Sequence, residues 1–160
     1  MAKPLVNLRD VPRERMSHGR RFDARLGRIG SFLGAQRLGY SIVEVPPGKR
    51  ACPFHTHHNI EEMFLVLEGS GTLRFGGETH PIGEGDVICA RIGEAPHQIV
   101  NTSSAPLRYL AVSTIEETDV VDYPDAGKIG IAVGTGVSAP PRGHYFRGGR
   151  EVTYWEGEAE

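Results

Sequence analysis

This sequence has few cysteines, no long apolar run and a small net charge. The two cysteines, Cys52 and Cys89, are too few for a disulfide scaffold. No apolar run is long enough to cross a bilayer, and the first ten residues carry no apolar stretch of signal-peptide length. The formal net charge of −2 implies no general attraction to nucleic acid or to an anionic membrane. We therefore expect a cytoplasmic protein that binds neither nucleic acid nor a membrane.

Sequence signatures of nucleophilic hydrolases and of nucleotide-binding proteins are missing as well. There is no Ser-His-Asp order and no glycine-rich helix start that would bind phosphate. Both cysteines are interpreted as small buried side chains. Cys52 comes three residues before His55, which on a regular strand puts it on the opposite face, and only a bulge at Pro53 would turn it inward.

Turn residues, in contrast, are abundant. The 21 glycines and 11 prolines recur between short apolar runs, a pattern typical of an all-β barrel or sandwich. Phe75-Gly76-Gly77-Glu78 predicts a two-residue hairpin turn, because Gly-Gly accepts the positive φ values such turns need. The predicted strands are 36–45, 51–56, 62–68, 71–75, 86–90, 98–100 and 107–115.

The 160 residues predict one domain with three parts. A β-barrel is predicted over residues 36–133, after an irregular N-terminal extension over residues 1–35. Residues 134–160 form a Gly/Pro-rich tail whose aromatic side chains favour packing on the barrel or on a partner subunit.

Charge is unevenly distributed along the chain. Residues 1–30 carry eight basic and three acidic side chains, and residues 116–125 carry five acidic side chains with no base. The two segments are expected either to pair, within a subunit or across a dimer, or to be two solvated faces.

The strand beginning at Glu62 is apolar on both faces, which predicts that both faces are covered. Phe64 and Val66 share the face of Glu62, and the neighbouring residues occupy the other face. One face would line the barrel interior and the other would lie under a second sheet or a partner subunit. We therefore expect a homodimer.

Three histidines and one carboxylate form the main candidate site. His55 and His57 are two residues apart on an extended segment, so their side chains point to the same face. Glu62 follows at the head of an apolar run, and His97 lies in another extended stretch. Converging inside a small barrel, these four side chains predict a site for one divalent transition metal, because imidazole with carboxylate suits iron, manganese, nickel, copper or zinc.

The same residues carry a family resemblance. Gly48 … His55-x-His57-x-x-x-x-Glu62-x6-Gly69 resembles the first cupin motif, G-x5-H-x-H-x(3,4)-E-x6-G. Residues 85–101, with His97-x-x-x-Asn101 at the end, resemble the second motif, in which Arg91 stands where proline is usual. The resemblance covers residues 48–101. It implies an all-β cupin (jelly-roll) barrel with His55, His57, Glu62 and His97 as ligands of one Fe, Mn, Ni or Zn ion.

Several other residues are candidates with two interpretations each. His58 and Glu61 face away from the ligands on a regular strand, although a turn before Glu61 leaves it open as a ligand. Before the first motif, side chains alternate between two faces, one with Tyr40 and one with Arg37. If the first face lines the cavity, Tyr40 donates a proton or a hydrogen bond to the substrate; if the second does, Arg37 binds an anionic group. The residue on the other face points outward. Arg91 either binds a carboxylate or phosphate at the barrel mouth or caps a turn.

Two classes of function remain. The first is an enzyme in which the metal acts on a small oxygenated or anionic molecule; the resemblance to cupins implies a dioxygenase or a sugar-phosphate or keto-enol isomerase, and the arginines favour an anionic substrate. The second is a non-catalytic module that binds a small molecule or sugar with help from the metal. Fold and ligand set do not choose among the reactions of the first class. We favour the enzyme.

Overall fold

The computed structural model describes residues 4–134 and 142–158, which form antiparallel β-sheets with very little helix. Short 3-10 turns occur at Leu8–Asp10 and Pro124–Ala126, and the one α-helix of the described ranges, α1, is Ile29–Leu33. The strands are β1 (Glu14–His18), β2 (Phe22–Arg28), β3 (Leu38–Val45), β4 (Thr56–His57), β5 (Glu62–Glu68), β6 (Ser70–Phe75), β7 (Glu78–Gly83), β8 (Val87–Ala90), β9 (His97–Val100), β10 (Leu107–Thr114), β11 (Thr118–Tyr123), β12 (Lys128–Val133), β13 (Arg142–Arg147) and β14 (Arg150–Val152).

Three sheets build the jelly roll. Six strands pair in the order β1-β2-β3-β10-β5-β8, five in the order β14-β13-β12-β11-β4, and three in the order β7-β6-β9. The all-β class and the jelly-roll architecture predicted from the sequence are confirmed. The prediction of a closed barrel was wrong, because the hydrogen-bonded strands of the described residues form separate sheets and not a continuous ring.

The main core lies between the sheets and ends at the predicted metal ligands. On β3, Val43 and Val45 point into this core, together with Phe64 and Val66 from β5. The intervening residue Ile42 points to the other side, as the two-residue period of a strand requires. One side of β3 therefore faces the interior and the other faces the N-terminal segment.

A second apolar cluster covers the outer side of β3 and part of β5. Val11, Ile29 and Ile42 are buried there, and Leu67 of β5 packs against them. The sequence predicted that the second apolar face of β5 is covered. At Leu67, residues from the N-terminal part of the same chain provide that cover. Residues 14–28, predicted as irregular, instead form the β1–β2 hairpin that extends the six-stranded sheet. Periodicity missed this hairpin because its first strand is almost entirely exposed.

Two glycines adopt positive φ angles at positions where a side chain would be strained. Gly76 has φ +55° and turns β6 into β7 across the predicted two-residue hairpin. Gly69, the last glycine of the first motif, has φ +85°, and a Cβ there would lie 2.5 Å from the carbonyl oxygen of Pro106. A side chain at residue 69 would therefore displace the loop before β10.

The C-terminal residues that are described pack back on the sheets. Trp155 stacks on His18 with ring centroids 4.4 Å apart. The ammonium group of Lys128 is buried, donates to the carbonyl oxygen of Tyr154 and forms an ion pair with Glu158. Residues 135–141 of the predicted tail, and the chain termini, lie outside the described residues, so its boundary at residue 134 stays a prediction. No helix within the described residues has the length and apolar character needed to span a membrane.

Candidate metal centre

Backbone pairing places the histidines on facing segments. His55 and His97 form an isolated antiparallel bridge, in which each backbone N–H donates to the other's carbonyl oxygen at 3.2 and 2.8 Å. His57 belongs to β4 and pairs with Val121 of β11. Glu62 opens β5 between strands β10 and β8. Backbone hydrogen bonds therefore fix each of the three stretches that carry the predicted ligands before any side chain takes part.

The structure brings the four predicted side chains together around one oxygen. The Nε2 atoms of His55, His57 and His97 lie 3.7, 3.3 and 3.0 Å from Glu62 Oε2. The donor atoms of His55, His57 and Glu62 all lie within 4.8 Å of one another. Metal–nitrogen and metal–oxygen bonds of about 2.1 Å put neighbouring donors of an octahedral ion about 3 Å apart. The three observed distances have this scale.

The outer nitrogens of two histidines are held by acceptors outside the cluster. His55 Nδ1–H donates to the carbonyl oxygen of Pro53 at 2.9 Å. His57 Nδ1–H donates to Asp119 Oδ2, while Asp119 Oδ1 accepts from the backbone N–H of Asn59 at 3.1 Å. These bonds hold a proton on Nδ1 in both rings, so in the neutral ring Nε2 is the nitrogen left with a lone pair that could bind a metal.

Protonation in the metal-free centre follows from burial and from the mutual contacts. Burial by itself would raise the pKa of Glu62, but the three histidines hold that pKa well below its usual range, so the side chain is a carboxylate. Burial lowers the pKa of His97, which favours the neutral ring. For His55, burial would lower the pKa, yet Cys52 and Glu62 raise it well above the usual value; Asp119 and Glu62 likewise raise the pKa of His57 against burial.

Orphaned polar atoms test whether a metal fits these residues. Among the described residues, Glu62 Oε2 and both ring nitrogens of His97 are buried and accept or donate no hydrogen bond. A buried carboxylate oxygen without a partner is costly, and so is a buried imidazole nitrogen. A cation bound between them would satisfy Glu62 Oε2 and His97 Nε2 together. The donor set, three imidazoles and one carboxylate, therefore fits a divalent transition metal.

Aromatic rings surround this centre. Tyr123 stacks over His55 with ring centroids 6.1 Å apart, and Phe64 lies 5.5 Å from the ring of His97. Tyr109, also buried, lies 6.0 Å from Phe64, edge to face. Burial raises the pKa of Tyr109 and of Tyr123, so both phenols stay protonated at neutral pH. Sequence reasoning named neither tyrosine, because both lie outside the two motifs, on β10 and β11.

Three further predicted site residues lie elsewhere. Tyr40 packs with the second apolar cluster, because it shares the strand face of Ile42 and not that of Val43. Arg37 is exposed and lies just before β3. Arg91 is exposed, and its guanidinium pairs with Glu94 in the same turn, which is the turn-capping alternative. The structure thus brings none of these three to the histidines.

The structure places His58 and Glu61, the two residues next to the predicted ligands, on the surface. Glu61 is exposed, and His58 pairs on the surface with Asp122 at 2.8 Å.

Both cysteine placements were wrong. Cys52 Sγ lies 4.0 Å from His55 Nδ1, because the backbone at residues 51–54 leaves regular strand geometry. Cys89 is exposed, because its neighbours Ile88 and Ala90 take the inward positions of β8.

Comparison with known proteins agrees with this geometry. Residues 41–113 match the sequence profile of the family described as the cupin domain. An uncharacterised protein of Methanocaldococcus jannaschii is 31% identical over 91 residues, which make up 54% of this chain and 70% of that protein. The chain belongs to the cupin family.

Solved cupin-like structures match nearly the whole chain. A crystal structure from Acidithiobacillus ferrooxidans, provisionally named a sugar phosphate isomerase, is 26% identical with a TM-score of 0.76 and covers 94% of this chain and 90% of its own. A cupin-superfamily structure from Silicibacter pomeroyi, named a sugar phosphate isomerase, is 24% identical with a TM-score of 0.81 and covers 96% and 99%. The second likeness concerns the fold alone. Both matches extend well beyond residues 41–113, so the N-terminal hairpin and the C-terminal strands belong to a shared architecture.

Proposed function

We propose that this cupin is a metal-dependent enzyme that isomerises a small oxygenated, anionic molecule of the sugar-phosphate or keto-enol type. The cofactor would be one divalent transition metal per subunit, Fe, Mn, Ni or Zn, held by His55, His57, Glu62 and His97. One observation carries the proposal: three imidazole nitrogens lie within 3.7 Å of a buried carboxylate oxygen that has no hydrogen-bond partner in the described ranges.

The chemistry would divide between the metal and this chain's residues. A bound divalent ion supplies a Lewis acid that polarises a carbonyl or enolate oxygen. Held by these four side chains, such an ion would keep open positions for a substrate. The ring of Tyr123, stacked over His55, would form one wall of the centre and limit the movement of that ligand. Phe64, beside His97, supplies an apolar wall that limits water.

Support for an isomerase over a dioxygenase comes from similarity. The Acidithiobacillus ferrooxidans protein, whose provisional name is sugar phosphate isomerase, matches 94% of this chain at 26% identity. We propose for this chain the activity that the provisional name gives to that protein. A dioxygenase and a non-catalytic binding module are kept as outcomes of the test.

Proton exchange gives the most specific assay. The protein is loaded separately with Fe²⁺, Mn²⁺, Ni²⁺ or Zn²⁺ and incubated in D₂O, without oxygen, with a panel of aldose and ketose phosphates. We expect metal-dependent deuterium uptake at the carbon next to the carbonyl, followed by NMR. His57→Ala should abolish it. His58→Ala is the matched control, since its ring pairs with Asp122 on the surface and should keep the wild-type rate.

Other outcomes would replace the proposal. Oxygen consumption by the iron-loaded protein, with no deuterium uptake, would assign a dioxygenase. Metal-dependent binding of the same sugars without exchange or oxygen uptake would assign a binding module. Equal loss of exchange in His57→Ala and His58→Ala would remove the metal centre from the explanation.

We also propose a homodimer and a cytoplasmic location, as the sequence predicts. Val87 on the edge strand β8 is 66% exposed, and it pairs with Leu65, which is half-buried on the same outer side. Ile92, just after β8, is also exposed. An apolar edge of this kind favours association of two copies. Light scattering at micromolar concentration should give twice the chain mass, and Val87→Lys should give the monomer.

A further inference from the structure

A surface cavity of about 240 Å³ lies on the far side of β9 from the metal centre. Successive residues of a strand point to opposite faces, so His97 points to the centre and Gln98 points to the cavity. The cavity is smaller than the pockets that hold drug-sized ligands, so it suits a small molecule. The residues that line it are Arg21, Phe22, Arg50, Gln98, Asp125, Gly157 and Glu158.

The charges around this cavity do not balance. Asp125 is held by the guanidinium of Arg74 through two hydrogen bonds of 2.8 and 3.1 Å. Glu158 is held by the buried ammonium group of Lys128. Within residues 4–134 and 142–158, neither Arg21 nor Arg50 forms an ion pair with an acidic side chain. Both acids of the lining are therefore neutralised by other bases, and two guanidinium groups are left over.

Arg50 is the more constrained of the two arginines. Its Nε–H is buried and has no acceptor among the described residues. Its guanidinium lies 5.9 Å from the ring centre of Phe22, which limits where the side chain can go. Burial lowers the pKa of Arg50, and the positive charges of Arg21 and Arg74 lower it further. An anion bound here would supply the missing acceptor and relieve the repulsion between like charges.

We propose that Arg21 and Arg50 form a second ligand site that binds the phosphate group of a small phosphate monoester. Guanidinium groups match phosphate oxygens with paired N–H donors, and Phe22 supplies an apolar wall for the attached carbon chain. Gln98 does not take part in recognition, because its amide already donates to the carbonyl oxygen of Cys52 and accepts from Arg74. The site is separate from the metal centre and does not depend on the proposed isomerase activity.

Arginine side-chain NMR tests this site directly. The ¹⁵N-labelled full chain is titrated with inorganic phosphate, and separately with malonate, at constant ionic strength. We expect a saturable shift of the Arg50 Nε–Hε signal with phosphate, and a smaller one with malonate. Arg50→Gln should weaken phosphate binding about tenfold or more, which is the effect of losing one charge-assisted hydrogen bond. Arg21→Gln, at an exposed position, should weaken it in the same direction.

Two controls separate this site from its alternatives. Arg25→Gln removes the same charge from an exposed arginine of β2 outside the cavity, and it should leave the affinity within about twofold of wild type. His57→Ala, or treatment with a chelator, should also leave it unchanged, because the phosphate does not bind to the metal. Equal weakening by Arg25→Gln, or a shift that never saturates, would overturn the proposal. Loss of the shift after metal removal would overturn it as well, and a stronger response to malonate would assign a carboxylate ligand in place of phosphate.

Discussion

Asp119→Asn should weaken metal binding, although Asp119 does not contact the metal position itself. The Asp119 side chain is 2% exposed and accepts the proton on His57 Nδ1. An asparagine that keeps the bond from Asn59 N–H would present its amide N–H to His57 instead of an acceptor. His57 would then be favoured in the tautomer with its proton on Nε2, which removes the lone pair that binds metal.

The size of the effect follows from the role of this carboxylate. Removing a partner of a metal-binding histidine costs about 10- to 100-fold in metal affinity, which is about 1.4 to 2.7 kcal/mol. Asp122 provides the matched control. It lies on the same strand, pairs with His58 at 2.8 Å, and its side chain is 41% exposed. Asp122→Asn should change the metal affinity less than about twofold, since surface ion pairs contribute little.

Competition with a chromophoric chelator measures both variants at one pH with Zn²⁺ or Ni²⁺. We expect Asp119→Asn to bind the metal more weakly than Asp122→Asn does. Circular dichroism should show that both variants are folded. Equal affinities, or a larger loss in Asp122→Asn, would show that the contact with His57 does not orient the ring.

Three further predictions concern pH, the core and the C-terminal segment. Metal affinity should rise with pH until His55 is neutral in the metal-free protein, because its raised pKa makes protons compete with the metal; isothermal titration in two buffers should detect the released protons, and a pH-independent affinity would contradict this. Leu107→Ala, at a fully buried position, should lower the free energy of unfolding by about 3 kcal/mol in urea titrations, whereas the same substitution at the exposed Leu5 should change it by less than about 0.5 kcal/mol; equal effects would contradict the described core. Lys128→Ala leaves the buried carboxylate of Glu158 unpaired and should expose the C-terminal segment to limited proteolysis, with a loss of about 3 kcal/mol, and unchanged cleavage would refute the role of this ion pair.

Local pattern was enough to predict the strands that carry the motifs. The strand at Glu62–Glu68 has the predicted bounds, and the Gly76-Gly77 hairpin forms as expected, because alternation and turn chemistry are local properties. Residues 14–28 were missed because the first strand is exposed and the buried positions of the second include the small residues Ala24 and Gly27, so the apolar alternation is weak. The face of β3 that points inward was left open, since both of its faces are half-apolar and tertiary packing decides between them.

The candidate centre shows the same division. Spacing and the resemblance to the two cupin motifs brought His55, His57, Glu62 and His97 into one hypothesis, and the structure gathers these four side chains. Asp119 was hidden in an acidic segment, where sequence spacing does not tell which of five acids meets a histidine 62 residues away. Long-range pairing of β11 with β4 decides this, and no local rule predicts that register.

Metal stoichiometry tests the central claim most directly. The protein, reconstituted with excess Fe²⁺, Mn²⁺, Ni²⁺ or Zn²⁺ and passed over a desalting column, is analysed by plasma mass spectrometry beside His57→Ala and His58→Ala. We expect close to one ion per subunit in wild type and in His58→Ala, and close to none in His57→Ala. Wild-type protein that retains none of the four metals, or variants that lose metal equally, would contradict it.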